Sequence, residues 1–409
     1  MKTDYFHVNE VEPQELLRVF LEHFSSSQGL FRFQRLNTQH FLDVTCDEIG
    51  NIKSIQPSKD FPKDEFEEIE KKIQDTLLAK LGTKVSQIIC FCDTKITGYF
   101  RYKDLFQILP LPDDAAKPTN IGLANYPFIL EVAYEPCPSP MIDNSRKREK
   151  AVIYTRLLNL LSDQAISAGS RYTQFGWALR TENPGTMVSE WSQLGYIYPG
   201  LKGTMDDFSS VEGLSPIERV SYQTYYTAIP VRSLNPITLP DSLEQSLDKA
   251  FMLDRATWRK FFMACSWYAQ YLHTREESHS SAFIALVTAL ECLAQEKDVC
   301  QTCNQPILEN EEDICPSCGQ PRYRVTKHFQ DFLKKYVPFI DQFPKERKTL
   351  YQVRSQLAHG MDLLQADLVP WKFFLDAKWQ EQDNFQRNLY FIVGIAIYNW
   401  LHTLPIKTQ

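Results

Sequence analysis

The stretch Tyr351-Gln-Val-Arg354-Ser355-Gln-Leu-Ala-His359-Gly360 reads as the last turns of a helix. Gly360 stands where a helix C-terminus takes a left-handed residue. The same stretch holds Arg354 and His359, separated by four residues. A guanidinium clamps a phosphate with a planar fork of donors. An imidazole moves protons near neutral pH. The pair therefore suits a phosphodiester. Taken alone, it is also what any helix with a surface arginine and a late histidine displays. Five positions on a 3.6-residue helix rotate by about 140°. The two side chains converge only if the last turn loosens or a second copy of the chain contributes.

Outward from this stretch the pattern is helical. Apolar residues at i, i+3 and i+4 predict helices over 241–253, 255–273, 280–295, 325–336, 344–358 and 384–401. Antiparallel helices with moderate connections form a bundle. Before about residue 236 the pattern is mixed. Helices are expected over 14–25, 63–81 and 143–166, and strands over 85–92, 98–105 and 128–134, with a strand meander over 31–56. The fold class is therefore α+β. Residues 1–235 are expected to form a mixed α/β domain of unassigned role, sensing or regulatory, and 236–409 a helical bundle with a zinc-binding insertion over 298–321.

That insertion carries Cys300-Gln-Thr-Cys303 and Cys315-Pro-Ser-Cys318, two C-x2-C pairs eleven residues apart. Each pair can wrap one side of a tetrahedral ion. Asn304 and Gly319, which follow the pairs, tolerate the left-handed backbone of a metal knuckle. The expected cofactor is one structural Zn²⁺ per chain. Four thiolates leave no open position for water, so the metal takes no part in chemistry. The alternative is four unliganded thiols or a disulfide pair. The loop between the pairs carries Glu309, Glu311, Glu312 and Asp313, which argues against the loop itself gripping phosphates.

Composition narrows the classes further. The chain has 409 residues, with 44 basic against 51 acidic and a net charge of -7. It is not a protein that coats nucleic acid, and any polyanion site must be local. One such region exists: from Arg322 to Arg354 there are nine basic and three acidic residues. Arg324, Lys327, Lys334 and Lys348 are candidates for an RNA phosphate track, although a solvated helix face accounts for such runs as well. No signal-peptide or membrane-spanning segment is read. The ten cysteines fit a reducing, cytoplasmic compartment.

Glu291 lies in Ala289-Leu-Glu291-Cys-Leu293, among helix neighbours that are apolar. A carboxylate on a buried stripe needs a partner, and Arg354 is a fitting one. A glutamate at the stripe's edge that reaches solvent is the other reading.

The order of these motifs resembles a bacterial HEPN domain of the ApeA-like kind. It runs from Ser280-Ser-Ala-Phe-Ile-Ala-Leu-Val-Thr-Ala-Leu-Glu291 through a cysteine insertion to Arg322-Tyr-Arg-Val-Thr-Lys-His-Phe-Gln-Asp-Phe-Leu333. It ends on Leu350-Tyr-Gln-Val-Arg-Ser-Gln-Leu-Ala-His-Gly360. The resemblance covers about 240–405. It implies a helical bundle that dimerises and a metal-independent ribonuclease site. The family's arginine falls on Arg354, its histidine on His359 and its first-helix glutamate on Glu291. The polar residue after the arginine is Ser355, where the family more often has Asn or Asp. Many members serve in phage defence or as toxins, which would make a phage-derived trigger a partner. Pro127-Phe-Ile-Leu-Glu-Val-Ala-Tyr134 is similar to a region found ahead of such domains.

Two functions are thus expected. One is an endoribonuclease using Arg354, His359, Glu291 and Ser355. The other is a zinc-stapled module that binds RNA, nucleotide or a protein without cutting. A separate enzyme in the first half is disfavoured. That half has no phosphate loop, no histidine-rich metal set and no nucleophile elbow.

Overall fold

The computed structural model describes residues 13–26, 32–35, 38–46, 52–115, 126–168, 174–183, 185–194, 198–221, 225, 236–294, 303, 317–319, 325–360, 363–368 and 377–405. The chain is α+β. It opens with α1 (Pro13–His23), followed by an antiparallel sheet of β1 (Ser25–Ser26), β2 (Arg32–Gln34), β3 (Phe41–Cys46) and β4 (Ile52–Pro57), in that order. Next comes α2 (Lys63–Leu77), highly charged but with Phe66, Ile69, Ile73 and Leu77 on one helical stripe. That stripe and Leu16, Val19 and Phe20 of α1 bury against Phe33, Leu42 and Val44 of the sheet. This is a small core of its own.

A second sheet has the order β6-β7-β8-β5-β9 and is antiparallel throughout. Its strands are β5 (Lys84–Cys92), β6 (Phe100–Tyr102), β7 (Phe106–Leu109), β8 (Tyr126–Tyr134) and β9 (Ser167–Ala168). The single strand expected over 98–105 is instead β6 and a tight turn into β7. Lys103 takes φ 48° there, and Tyr102 pairs with Phe106. The left-handed position falls on a lysine and not on Gly or Asn, and Asp104 beside it is the turn-favouring residue. α3 (Pro140–Leu161) starts earlier than expected because Ser139 caps it, its Oγ accepting from Ile142 N at 3.2 Å, with Pro140 at the first position.

The two faces of this sheet differ. On one, Cys90, Phe106, Phe128, Leu130 and Val132 bury against Ala151, Tyr154 and Leu158 of α3. On the other, strand register places Gln87, Glu131 and Gln107 in one row. Glu131 is fully buried and accepts from Gln87 Nε2 at 2.9 Å, Gln107 Nε2 at 3.1 Å and Ser209 N at 3.0 Å. Three neutral donors satisfy a carboxylate that would be costly to bury bare. The Ser209 donor lies on the segment 198–217, which also bonds to the sheet through Met205 and Val85. A hairpin of β10 (Gln174–Asn183) and β11 (Thr186–Leu194) and a short parallel pair of β12 (Arg219–Val220) and β13 (Leu239–Pro240) complete the strands.

The remainder is helical: α4 (Leu243–Phe251), α5 (Arg255–Thr274), α6 (His279–Ala294), α7 (Val325–Tyr336), α8 (Pro344–Ala358), α9 (Gln365–Leu368) and α10 (Ala377–Thr403). Asp254 caps α5, accepting from Ala256 N and Thr257 N at 3.1 Å each. The change of pattern near residue 236 is a change of secondary structure. The buried core continues across it, from Phe106 and Leu130 of the sheet to Phe261, Phe283, Leu286 and Ile392 of the helices. Each such side chain contributes about 1.5–3 kcal/mol on burial. Polar ties reinforce the junction. Arg275 pairs with Asp93 at 3.3 Å, and Tyr268 donates to Asp163 at 2.7 Å, as Tyr390 does from α10. Among the described residues no helix is long and apolar enough to cross a membrane.

One device in the helical half had no counterpart in the sequence reading. The N-terminus of α6 is closed by Asp367, a residue of α9. Its carboxylate accepts from His279 N at 2.7 Å, Ser280 N at 2.8 Å and Ser278 Oγ at 3.2 Å. Leu364 N in turn donates to Ser280 Oγ at 2.8 Å. Burial opposes ionisation of Asp367, but the hydrogen bonds from Ser280, His279 and Ser278 outweigh it and hold the carboxyl below its ordinary value. We expect Asp367→Ala to cost about 1–2 kcal/mol at pH 7, as loss of a helix cap does. A depressed carboxyl stabilises above its unfolded value, about 3.9, and the gain is lost as pH falls through the lower folded value. Urea unfolding of both proteins from pH 7 down to pH 2 tests this. A difference that stays constant over that range contradicts it.

Candidate active site

Glu291 and Arg354 are brought together by α6 and α8. On α6, Val287 and Leu290 are fully buried, which carries Glu291 to the edge of the core. On α8, Leu350 and Leu357 are buried on one stripe, and Arg354 lies beside it. Arg354 Nη2 reaches Glu291 Oε2 at 3.2 Å, with the two side chains 27% and 14% exposed. The pairing expected from the sequence is thus present. A half-buried carboxylate holds the guanidinium in one orientation while part of its fork stays accessible.

Burial pushes the Glu291 carboxyl above its ordinary value, and Arg354 reverses that only in part. A raised carboxyl favours the folded state fully below the unfolded value of about 4.3. That contribution is lost as pH rises through the higher folded value. The stability of the wild type relative to Glu291→Gln should therefore decline from about pH 4 upward. Denaturant midpoints of the two proteins between pH 4 and pH 8 check this, and parallel curves would contradict it. Cys292, next along α6, has its thiol pushed up to about 11 by burial and by Glu291. It is no nucleophile at neutral pH.

The α8 helix ends as its sequence suggested. Ala358 is the last helical residue, His359 N donates to Ser355 O at 3.0 Å, and Gly360 N donates to Leu357 O at 3.1 Å. Gly360 takes φ 67°, the left-handed closure that a β-carbon would strain. His359 is the capping residue and is exposed. Its ring makes no hydrogen bond or ion pair among the described residues. Ser355 is half-buried and contributes its carbonyl to the cap. One chain therefore holds an oriented guanidinium and, just past the end of the same helix, an exposed imidazole.

Of the other expected site residues, Lys334 is exposed on α7. Lys327 and Lys348 fall on α7 and α8, but their side chains lie outside the described residues, as does all of Arg324. Cys303 and Cys318 are both half-buried, and Gly319 takes φ 64°, the left-handed turn a thiolate knuckle uses. Cys300, Cys315 and the acidic loop between the pairs lie outside the described residues. Among the described residues no group of three or more His, Cys, Asp or Glu gathers as a metal set. The donor chemistry of the two described thiols and the turn at Gly319 fit a structural zinc site.

Two polar features escaped the sequence reading. Asp367 sits in a four-residue helix too short to show a period. Glu131, Gln87 and Gln107 did break apolar strands, a signal that register alone turns into a network. No family model, curated protein or solved structure matches this chain.

Proposed function

We propose that the chain is a metal-independent endoribonuclease of the HEPN kind, with its helical half as the catalytic bundle. The observation that carries this reading is the Arg354 guanidinium held by Glu291, with an exposed His359 at the end of the same helix. RNA supplies its own nucleophile. The 2′-oxygen bonds to the adjacent phosphorus as its proton leaves, and the phosphorus–5′-oxygen bond breaks as that oxygen gains a proton. His359 serves as the proton-transfer group. Arg354 stabilises the charge that develops on the non-bridging oxygens. Glu291 is a positioning residue, acting through Arg354, and Ser355 closes the helix end that presents His359. Two chains facing each other at α8 would put two such pairs in one cleft, which meets the angular problem of a single helix. Lys334 and its basic neighbours would guide the RNA backbone, and Zn²⁺ on Cys300, Cys303, Cys315 and Cys318 would hold the insertion between α6 and α7. A role in phage defence or as a toxin follows from the resemblance.

The test is cleavage of single-stranded RNA in excess EDTA with analysis of the product ends. Ends bearing 2′,3′-cyclic phosphate and 5′-hydroxyl are expected. Cleavage that needs a divalent metal, or leaves 5′-phosphates, overturns the reading. A second reading draws on the His359 ring, which no described residue of its own chain orients. It is a zinc-stapled module that binds RNA, nucleotide or a protein without cutting. RNA binding with no cleavage in either the wild type or an Arg354/His359 double variant would select it.

A further inference from the structure

The corner between α4 and α5 carries a row of stacked rings that leads from the core to the surface. Tyr102, fully packed, stacks on Phe251 at 5.9 Å, Phe251 on Trp258 at 5.7 Å, and Trp258 on Phe262 at 5.8 Å. Around the outer rings the surface is apolar. Phe251 is 37% exposed, Met252 59% and Met263 45%. Solvent-facing apolar side chains grouped in this way mark an interaction surface more often than scattered ones do.

Asp248, which accepts from Tyr102 at the inner end of the row, is paired with Lys103, and among the described residues the charge left unpaired beside the outer rings is basic. Arg255, Arg259 and Lys260 are exposed on the first turns of α5 and make no ion pair or hydrogen bond among the described residues. The nearest acid in sequence, Asp254, is engaged as the helix cap. The first turn of α5 contains no acidic residue. Cations at the positive end of a helix oppose its dipole. The sequence therefore breaks a local rule here without a partner inside the chain.

We propose that this face docks an acidic amphipathic segment of a partner protein. Its apolar side chains would cover Phe251, Met252 and Met263, and its carboxylates would meet Arg255, Arg259 and Lys260. Aromatic, methionine and arginine side chains together are the composition of a protein interface. A nucleic-acid strand fits less well, because stacking on bases needs open ring faces. Along this row the inner ring faces are already occupied by one another.

The place of the face in the fold gives docking a consequence. Helices α5 and α6 form an antiparallel hairpin through residues 275–278. Phe262 and Glu291 each lie twelve residues from that turn, about 18 Å along their helices. The docking face and the Glu291–Arg354 pair therefore share one end of the hairpin.

The experiment is fluorescence anisotropy on the full chain, with no cleavage step, so its outcome is independent of the ribonuclease reading. The probe is a labelled synthetic helix with leucines at i, i+3, i+4 and i+7 flanked by glutamates, compared with the same peptide bearing lysines and with a uridine decamer. The acidic peptide should bind at least tenfold tighter than the basic one. Met252→Ser with Met263→Ser should weaken it by about tenfold. The double variant Arg255→Glu/Arg259→Glu should reverse the preference in favour of the basic peptide, a gain that misfolding does not produce. Absence of binding by the acidic peptide, equal binding of the two peptides, or displacement of the acidic peptide by the decamer overturns the proposal.

Discussion

His359→Ala is expected to lower the RNA cleavage rate by about 10²–10⁴-fold while the protein stays folded. The two halves of that expectation have separate grounds. His359 is exposed, caps α8 through its backbone and not its ring, and lies outside both hydrophobic cores. Its truncation should therefore change stability by no more than about 0.5 kcal/mol. On the proposed mechanism the rate effect would come from loss of the group that moves the proton at the 2′-oxygen or the 5′-oxygen. Arg354→Lys provides a contrast. It keeps the charge but loses the fork and its fixed approach to Glu291, so it should reduce cleavage as well. Single-turnover rates across pH 5–9 with matched unfolding curves decide the matter. Wild-type rates in folded His359→Ala would remove His359 from the chemistry.

If the four cysteines hold the proposed Zn²⁺, its removal should have the largest effect on stability and none of its own on chemistry. Structural Zn²⁺ contributes on the order of 10 kcal/mol to small zinc domains. The insertion here joins α6, which carries Glu291, to α7. Losing even a fraction of that contribution should lower the melting temperature by roughly 5–10 °C. Cys315→Ser should behave like chelated protein, with activity falling only as the fold does. Elemental analysis should find about one zinc per chain, as one four-thiolate site requires. Metal-free protein with intact thiols and unchanged melting would leave Cys300, Cys303, Cys315 and Cys318 without a role.

Local order along the chain was legible in the sequence. The end of α8 at Ala358 and the left-handed Gly360 follow from a short-range rule about orphan carbonyls and a residue lacking a β-carbon. The longer helices of the second half follow from apolar spacing, since a 3.6-residue period is a property of neighbours in sequence, whereas α9 shows no period and α10 begins at Ala377, ahead of the apolar pattern expected from 384. The pairing of Glu291 with Arg354 was anticipated for a different reason. A carboxylate on a buried stripe has few permissible fates, and one of them is an arginine.

Tertiary structure alone decided the rest. The turn at Lys103 is held locally by Arg101, whose Nε donates to Lys103 O at 3.1 Å and Nη2 to Asp104 Oδ1 at 3.0 Å, but the pairing of Lys103 with Asp248 on α4 joins residues far apart in the chain. The cap on α6 comes from Asp367, which lies 88 residues beyond His279. The row of Gln87, Glu131 and Gln107 exists only because strand register aligns three distant residues. The core likewise runs through the change of pattern at residue 236, because apolar burial follows proximity in space and not sequence composition. Periodicity and capping record interactions over a few residues, and they determined where the helices lie. Contacts between residues far apart in the chain leave no such mark, and those contacts determined which side chains meet.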